Sequence, residues 1–255
     1  MKDNQVFCVL GATGRIGIEL TASLLSKNLT VRAVVRDKTK LLNMLKERGI
    51  SADQPTLSIF VTDLFSAVPN TALNDAFSNC SMVFNCASPK ISWVPLSKVN
   101  RQWGTPVLSL TRRLIEHANQ ADIKPHVFTF IGPEYFGQYD AHIRPHHRIL
   151  SKLLKAIYPA LKDNYLETNL ILDGEYKKWT VLRCGGIRPG VKGRLGNSQN
   201  VGMDYKVDGS NYKLGKGYSL QAEDLAAYLT SLIENKTVGD LEAQMPFTFN
   251  THFSV

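Results

Sequence analysis

The sequence contains no stretch approaching the roughly 20 uninterrupted apolar residues that a membrane-spanning helix needs. Its opening, MKDNQVFCVL, holds too short an apolar run for a secretory signal, so the expectation is a cytoplasmic protein with no membrane partner. The four cysteines, Cys8, Cys80, Cys86 and Cys184, make no CxxC pair and have no histidines at metal-ligand spacing, which leaves no pattern for a structural zinc site or a thiol redox motif. Cys8, Cys86 and Cys184 lie in apolar runs and read as reduced packing residues. Internal repeats, low-complexity tracts and Pro/Gly-rich linkers are also missing, so residues 1–255 read as a single domain. Acidic residues are scarce in the middle of the chain: residues 144–216 carry fourteen Lys and Arg against six Asp and Glu, an excess equal to the net +8 of the whole. Basic surface of this kind attracts a phosphorylated cofactor, an anionic small substrate or a nucleic acid, the alternative being a solvated face with no partner. Nucleic acid fits least, because no aromatic interleaving or recognised module accompanies the charge.

What is present is a regular alternation. The 255 residues are 44% hydrophobic, enough for a sizeable core. Strand-length runs rich in Val, Ile and Phe stand at 5–10, 29–35, 57–61, 82–87, 126–131 and 179–183. Between and after them lie helical segments near 15–26, 38–48, 70–77, 97–120, 147–173 and 222–235. Strand and helix in turn imply right-handed βαβ units, hence an α/β doubly wound parallel sheet of the Rossmann kind, covered on both faces. The glycine-rich, basic residues 185–217 read as an excursion over the sheet edge, and 132–217 as the substrate side.

The stretch VFCVLGATGRIGIEL places Gly11, Gly14 and Gly17 between the first strand and the first helix. There a glycine triad means a dinucleotide site: Gly11 permits the tight turn, Gly14 admits a pyrophosphate close to the backbone, and Gly17 lets helix and strand pack closely. The helix N-terminus then meets the phosphates with unpaired N–H groups.

GATGRIG has the GxxGxxG spacing of the short-chain dehydrogenase/reductase superfamily and resembles its extended and atypical branches, which include the NmrA-like proteins. VVRDKTKL (34–41), VTDLFS (61–66), VFNCAS (83–88), the N…GT…L pattern of KVNRQWGTPVLSL (98–110) and EDLAAYL (223–229) extend the resemblance over most of the chain. It implies an NAD(P)-binding protein whose cofactor residues are Gly11, Thr13, Gly14, Arg15, Ile16, Gly17, Arg36, Asp63, Leu64, Cys86 and Ala87. Charge argues for the phosphorylated dinucleotide. An NAD site wants a carboxylate after the second strand, whereas VVRD offers Arg36 there, with Arg15 in the glycine loop to reach the same 2′-phosphate. NADP(H) is therefore expected, while Asp37 beside Arg36 leaves NAD open.

The superfamily resemblance also implies a proton-donating tyrosine with a lysine four residues on, and YPALK supplies Tyr158 and Lys162 as catalytic candidates. Two features cut against the pair. Pro159 lies inside it and should break or restart a helix, and Gly132 of FTFIGPEYFG stands where the family carries a Ser/Thr, with Thr129 two or three residues early and Tyr135 as a substitute. In HIRPHHR, His142, His146 and His147 border the substrate side; with only Asp140 as a carboxylate neighbour they suit an exposed basic turn, or an anion-binding or proton-donating role, better than a metal. Asp224 reads as a structural residue at the start of the last helix. The resulting expectation is an NADP(H)-dependent oxidoreductase, monomer or homodimer, that transfers hydride to a small carbonyl, quinone or flavin-like acceptor. The alternative is an NmrA-like regulatory protein that binds the dinucleotide without turnover.

Overall fold

A computed structural model of the chain describes residues 5–66, 71–89, 94, 97–98, 102–132, 145–191, 194–204 and 219–251. Six parallel strands form its centre: β1 (Val6–Leu10), β2 (Thr30–Val35), β3 (Leu57–Val61), β4 (Met82–Asn85), β5 (His126–Ile131) and β6 (Trp179–Cys184). Their helices are α1 (Arg15–Ser26), α2 (Lys38–Lys46), α3 (Thr71–Phe77), α4 (Pro106–Gln120), α5 (Pro145–Ile157), α6 (Pro159–Asp173) and α7 (Ala222–Glu234).

Alternation along the strands sorts the core into two layers. Phe7 and Val9 join Phe84, Phe128 and Leu182 on the face covered by α1 and α7, whose Leu20, Leu24, Leu225 and Leu229 are buried there. Cys8 and Leu10 turn the other way with Val34 and Val83, against Leu73 and Phe77 of α3 and Leu110 and Leu114 of α4. Beneath α4 and α6, Val127, Ile131 and Val181 pack with Ala118 and Ile171. Arg32 of β2 reaches the end of α3, where its Nη1 donates to the carbonyls of Asp75 (3.0 Å) and Ser78 (2.5 Å).

The strand order is β3-β2-β1-β4-β5-β6, continued by β10 (Phe247–Asn250) and β8 (Val201–Asp204). β10 runs parallel to β6 and β8 antiparallel to β10, so the sheet is larger than the six strands expected. The segment read as an excursion thus returns a strand to the sheet edge. Two-residue strands β7 (Ile187–Arg188) and β9 (Leu220–Gln221) pair separately. Asp224, on the first turn of α7, ties this region down: its carboxylate accepts from Asn197 N (2.8 Å), Asn200 Nδ2 (3.0 Å) and Arg194 Nη2 (3.3 Å).

Two helices differ from expectation. Among the described residues of 97–120, Lys98 is helical, Gly104 takes φ +59°, and the continuous helix α4 starts at Pro106. The single helix expected over 147–173 is two, because Pro159 has no N–H to donate and takes the first position of α6.

At the lower end of β5, His126 is buried and stacked on Phe128 at 4.6 Å, with its Nε2 2.7 Å from Thr180 Oγ1. Burial, aided by Lys178, lowers its pKa to about 4. A histidine held neutral contributes stability that is complete above its unfolded pKa, near 6.5, and lost as pH falls through the folded value. Denaturant unfolding should therefore show a loss on the order of 2–3 kcal/mol between pH 6.5 and 4 that His126→Gln abolishes.

Candidate dinucleotide site

Strand order reverses between β1 and β4, and there the register lines up Val34, Leu10, Asn85 and Thr129 across the C-terminal ends of β2, β1, β4 and β5. A cleft of about 490 Å³ opens above that row. Crevices at such switch points are where open α/β sheets hold ligands.

The glycine loop forms the cleft's floor. Gly11 adopts φ +67°, the left-handed region that favours glycine, and a β-carbon on it would stand 2.9 Å from Ala87 Cα. Gly14 caps α1 through its backbone, and no side chain caps that N-terminus. The first-turn N–H groups therefore have no side-chain acceptor, and Gly14, Arg15 and Ile16 line the cleft, the arrangement that phosphate binding requires. Gly17 presses α1 onto the loop so closely that a β-carbon would lie 2.4 Å from the Gly11 carbonyl oxygen.

Ten of the eleven cofactor residues expected from sequence line this cleft: Gly11, Thr13, Gly14, Arg15, Ile16, Arg36, Asp63, Leu64, Cys86 and Ala87. Gly17 lies beneath it. At one rim stand Arg36 and Lys40, both exposed. Asp37 is turned aside: its Oδ1 accepts from Lys40 N at 2.9 Å and caps α2. Asp63 shapes the loop after β3 by accepting from Phe65 N at 3.1 Å. Arg15 does not reach towards the Arg36 rim; its Nη1 donates to the Ile187 carbonyl at 2.5 Å across the opposite wall. Sequence reasoning missed Lys40, Asn85, Phe130 and Ile187, which also line the cleft. Lys40 was legible as the third cation of VVRDKTK, whereas Phe130 and Ile187 arrive there only through the stacking of distant strands.

The catalytic candidates lie elsewhere. Tyr158 is the half-buried residue that begins α6, its carbonyl accepting from Leu161 N and Lys162 N, and Lys162 is exposed. Neither lines the cleft. Thr129 is buried at the C-terminal end of β5, and Gly132 lines a smaller hollow with Ser151, Lys155 and Tyr165. There the Lys155 ammonium sits 3.7 Å from the Tyr165 ring centroid, and burial together with Lys152 lowers its pKa. His146 is exposed on α5, whereas Tyr135, Asp140 and His142, and the His147 side chain, lie outside the described residues. Among the described residues no group of three His, Cys, Asp or Glu could hold a metal, and no helix is long and apolar enough to cross a membrane.

The inner face of α6 carries instead two carboxylates one turn apart. Asp163 accepts from Trp103 Nε1 (3.0 Å), Val107 N (2.9 Å) and Leu108 N (3.0 Å), capping α4 from a neighbouring helix. Glu167, buried at 2% exposure, accepts from Thr111 Oγ1 at 2.7 Å and from Asn85 Nδ2 at 3.4 Å.

A glycine-floored, phosphate-ready cleft at the switch point of a doubly wound sheet is what a nicotinamide dinucleotide occupies. The family comparison agrees: residues 11–236 match the NAD(P)H-binding family model, and the chain belongs to that family. Curated relatives match part of it. The bifunctional dihydroflavonol 4-reductase/flavanone 4-reductase of Pyrus communis is 32% identical over 88 residues, 34% of this chain and 24% of that protein. Cinnamoyl-CoA reductase 1 of Petunia hybrida is 32% identical over 125 residues, 49% of this chain and 34% of that protein. The chain thus matches about a quarter to a third of the length of these relatives. Among solved structures, a wide-type short-chain dehydrogenase/reductase of Veillonella parvula in complex with NADP superposes with TM-score 0.67 at 12% identity, covering 98% of this chain and 97% of that one. The anaerobillin reductase ChuY of Escherichia coli gives 0.62 at 13% identity, covering 98% and 100%. At such identities the likeness is one of fold, the Rossmann fold of the short-chain dehydrogenase/reductase group.

Proposed function

We propose that the protein is an NADPH-dependent oxidoreductase that passes hydride to a small conjugated acceptor of the quinone or flavin-like kind. The cleft's cationic rim carries this reading. Arg36 and Lys40 stand where a 2′-phosphate would lie, and Asp37, the carboxylate that follows Arg36 in the chain, is engaged in capping α2. The NADP complex of the Veillonella protein and the reductase activities in the names of the relatives are in keeping with it. Hydride chemistry belongs to the nicotinamide, while the chain supplies position and electrostatics.

The acceptor class follows from the catalytic candidates. With Tyr158 starting α6 and Lys162 in solvent, a carbonyl reduction that needs a tyrosine proton is less well served than reduction of an acceptor that takes up its proton from water. The test is direct titration with NADPH and NADH, followed by NADPH oxidation against quinones, flavins, aldehydes and ketones. Turnover on quinones or flavins that Tyr158→Phe leaves within a few-fold of wild type is the expected result; a loss of orders of magnitude would return the tyrosine to the role of acid. The placement of Lys162 also favours a second reading, an NmrA-like dinucleotide sensor, and tight NADPH binding without turnover on any acceptor would establish it.

A further inference from the structure

Helix α5 carries its large apolar residues on the outside. Ile149, Leu153 and Ile157 recur at every fourth position and so share one helix face, Leu150 stands beside them, and the four are between 42% and 60% exposed. Towards the body of the protein α5 offers little. Among its described side chains only Ser151 is buried, and Leu154 and Lys155 line with it the small hollow that begins at Ile131 and Gly132. A surface helix ordinarily turns its apolar stripe to the core. Here the stripe is turned away from it, and a contiguous exposed patch of this kind marks a contact with something outside the fold.

Charge selects the partner. Residues 141–162 hold Arg144, Arg148, Lys152, Lys155 and Lys162 and no Asp or Glu, and the first carboxylate after them, Asp163, is buried and spent on capping α4. Lys152, three residues after Ile149, stands exposed at the border of the stripe, and Lys162 is exposed near the start of α6, while Lys155 folds back over the Tyr165 ring. A second copy of α5 laid on the first would set like charges against each other, which disfavours that pairing. A lipid surface with anionic headgroups satisfies both features: the boundary of its acyl chains takes the aliphatic stripe and its headgroups take the lysines.

We propose that α5 docks the protein on an anionic membrane surface, with Ile149, Leu150, Leu153 and Ile157 entering the lipid and Lys152 at the headgroups. The expectation of no membrane partner came from the absence of a spanning segment. A helix lying in the interface needs none, and α5, with 13 residues, is too short to span. Docking is independent of the dinucleotide reading of the cleft. It sets the C-terminal end of β5 beside the lipid, because the hollow under α5 begins directly after Phe130, which lines the cleft.

The experiment is sedimentation with sucrose-loaded vesicles, made of phosphatidylcholine alone or with about a third phosphatidylglycerol, alongside light scattering of the protein without lipid. Wild type should partition at least tenfold more strongly onto the anionic vesicles, and raising the salt to about 0.5 M should remove most of that difference. Leu153→Ser should weaken binding about tenfold, because an aliphatic side chain no longer enters the lipid. Lys152→Glu should weaken binding to anionic vesicles about as much and leave the neutral ones unchanged. Ile123→Ser, at an equally exposed isoleucine ahead of the opposite end of β5, should bind like wild type and serves as the control. All three positions are exposed, so melting temperature should move little in any variant. Failure of wild type to bind anionic vesicles would overturn the proposal, as would equal binding to neutral ones or binding that Leu153→Ser leaves intact. A wild-type dimer that Leu153→Ser dissociates would also overturn it, since a second copy would then cover the stripe.

Discussion

Gly17→Ala should abolish dinucleotide binding and destabilise the fold by about 3 kcal/mol, the upper end for forcing a methyl group into a packed site. The cause is backbone against backbone. The new β-carbon would stand 2.4 Å from the Gly11 carbonyl oxygen and 3.0 Å from Ala12 Cα, neither of which can swing away as a flexible side chain could. Relief requires α1 to lift from the glycine loop, and lifting it removes the first-turn N–H groups from where the phosphates would bind. Gly239→Ala, with nothing within 4 Å of its β-carbon, should change neither property and serves as the control. Thermal denaturation and NADPH titration of the two variants together check this; a Gly17→Ala protein that melts and binds like wild type would mean the loop and helix are not pressed together as described.

Charge reversal at the cleft's rim should alter selectivity without touching stability. Arg36→Glu is expected to weaken NADPH binding at least a hundredfold, because a cation paired with the 2′-phosphate becomes an anion facing it, and such replacements cost about 3 kcal/mol or more. NADH binding should stay within a few-fold, since a new carboxylate at the tip of β2 can accept from the ribose hydroxyls. Arg36 is exposed, so the melting temperature should move little. Side-by-side titration is decisive: unchanged, equal affinity for both dinucleotides would remove the phosphate from this rim and with it the case for NADPH.

Local pattern carried a large part of this structure. VFCVL alternates residues that both layers bury, and the turn that follows this strand could not hold without Gly11 at positive φ. The glycine spacing and the ends of the second, third and fourth strands pointed to ten residues that one cleft brings together. β10 was not read as a strand: FTFN alternates, but a four-residue run is too short to distinguish from a loop until β6 offers it an edge.

Helix continuity and the Tyr158/Lys162 face were less accessible. Pro159 announces a break, yet sequence does not say which residues then turn inward; packing of α6 on α4 puts Asp163 and Glu167 there and leaves Lys162 in solvent. By itself the sequence determined the order of strands and helices, the doubly wound class and the phosphate-binding turn, because these follow from hydrophobic period and from backbone conformations open to few residues besides glycine. Only the tertiary structure decided which cations share a rim, that Asp37 is spent on capping α2, and that a glutamic acid from a distant helix reaches the end of β4. Those are relations between side chains from separate elements, and the closing of the sheet sets them, not the spacing along the chain.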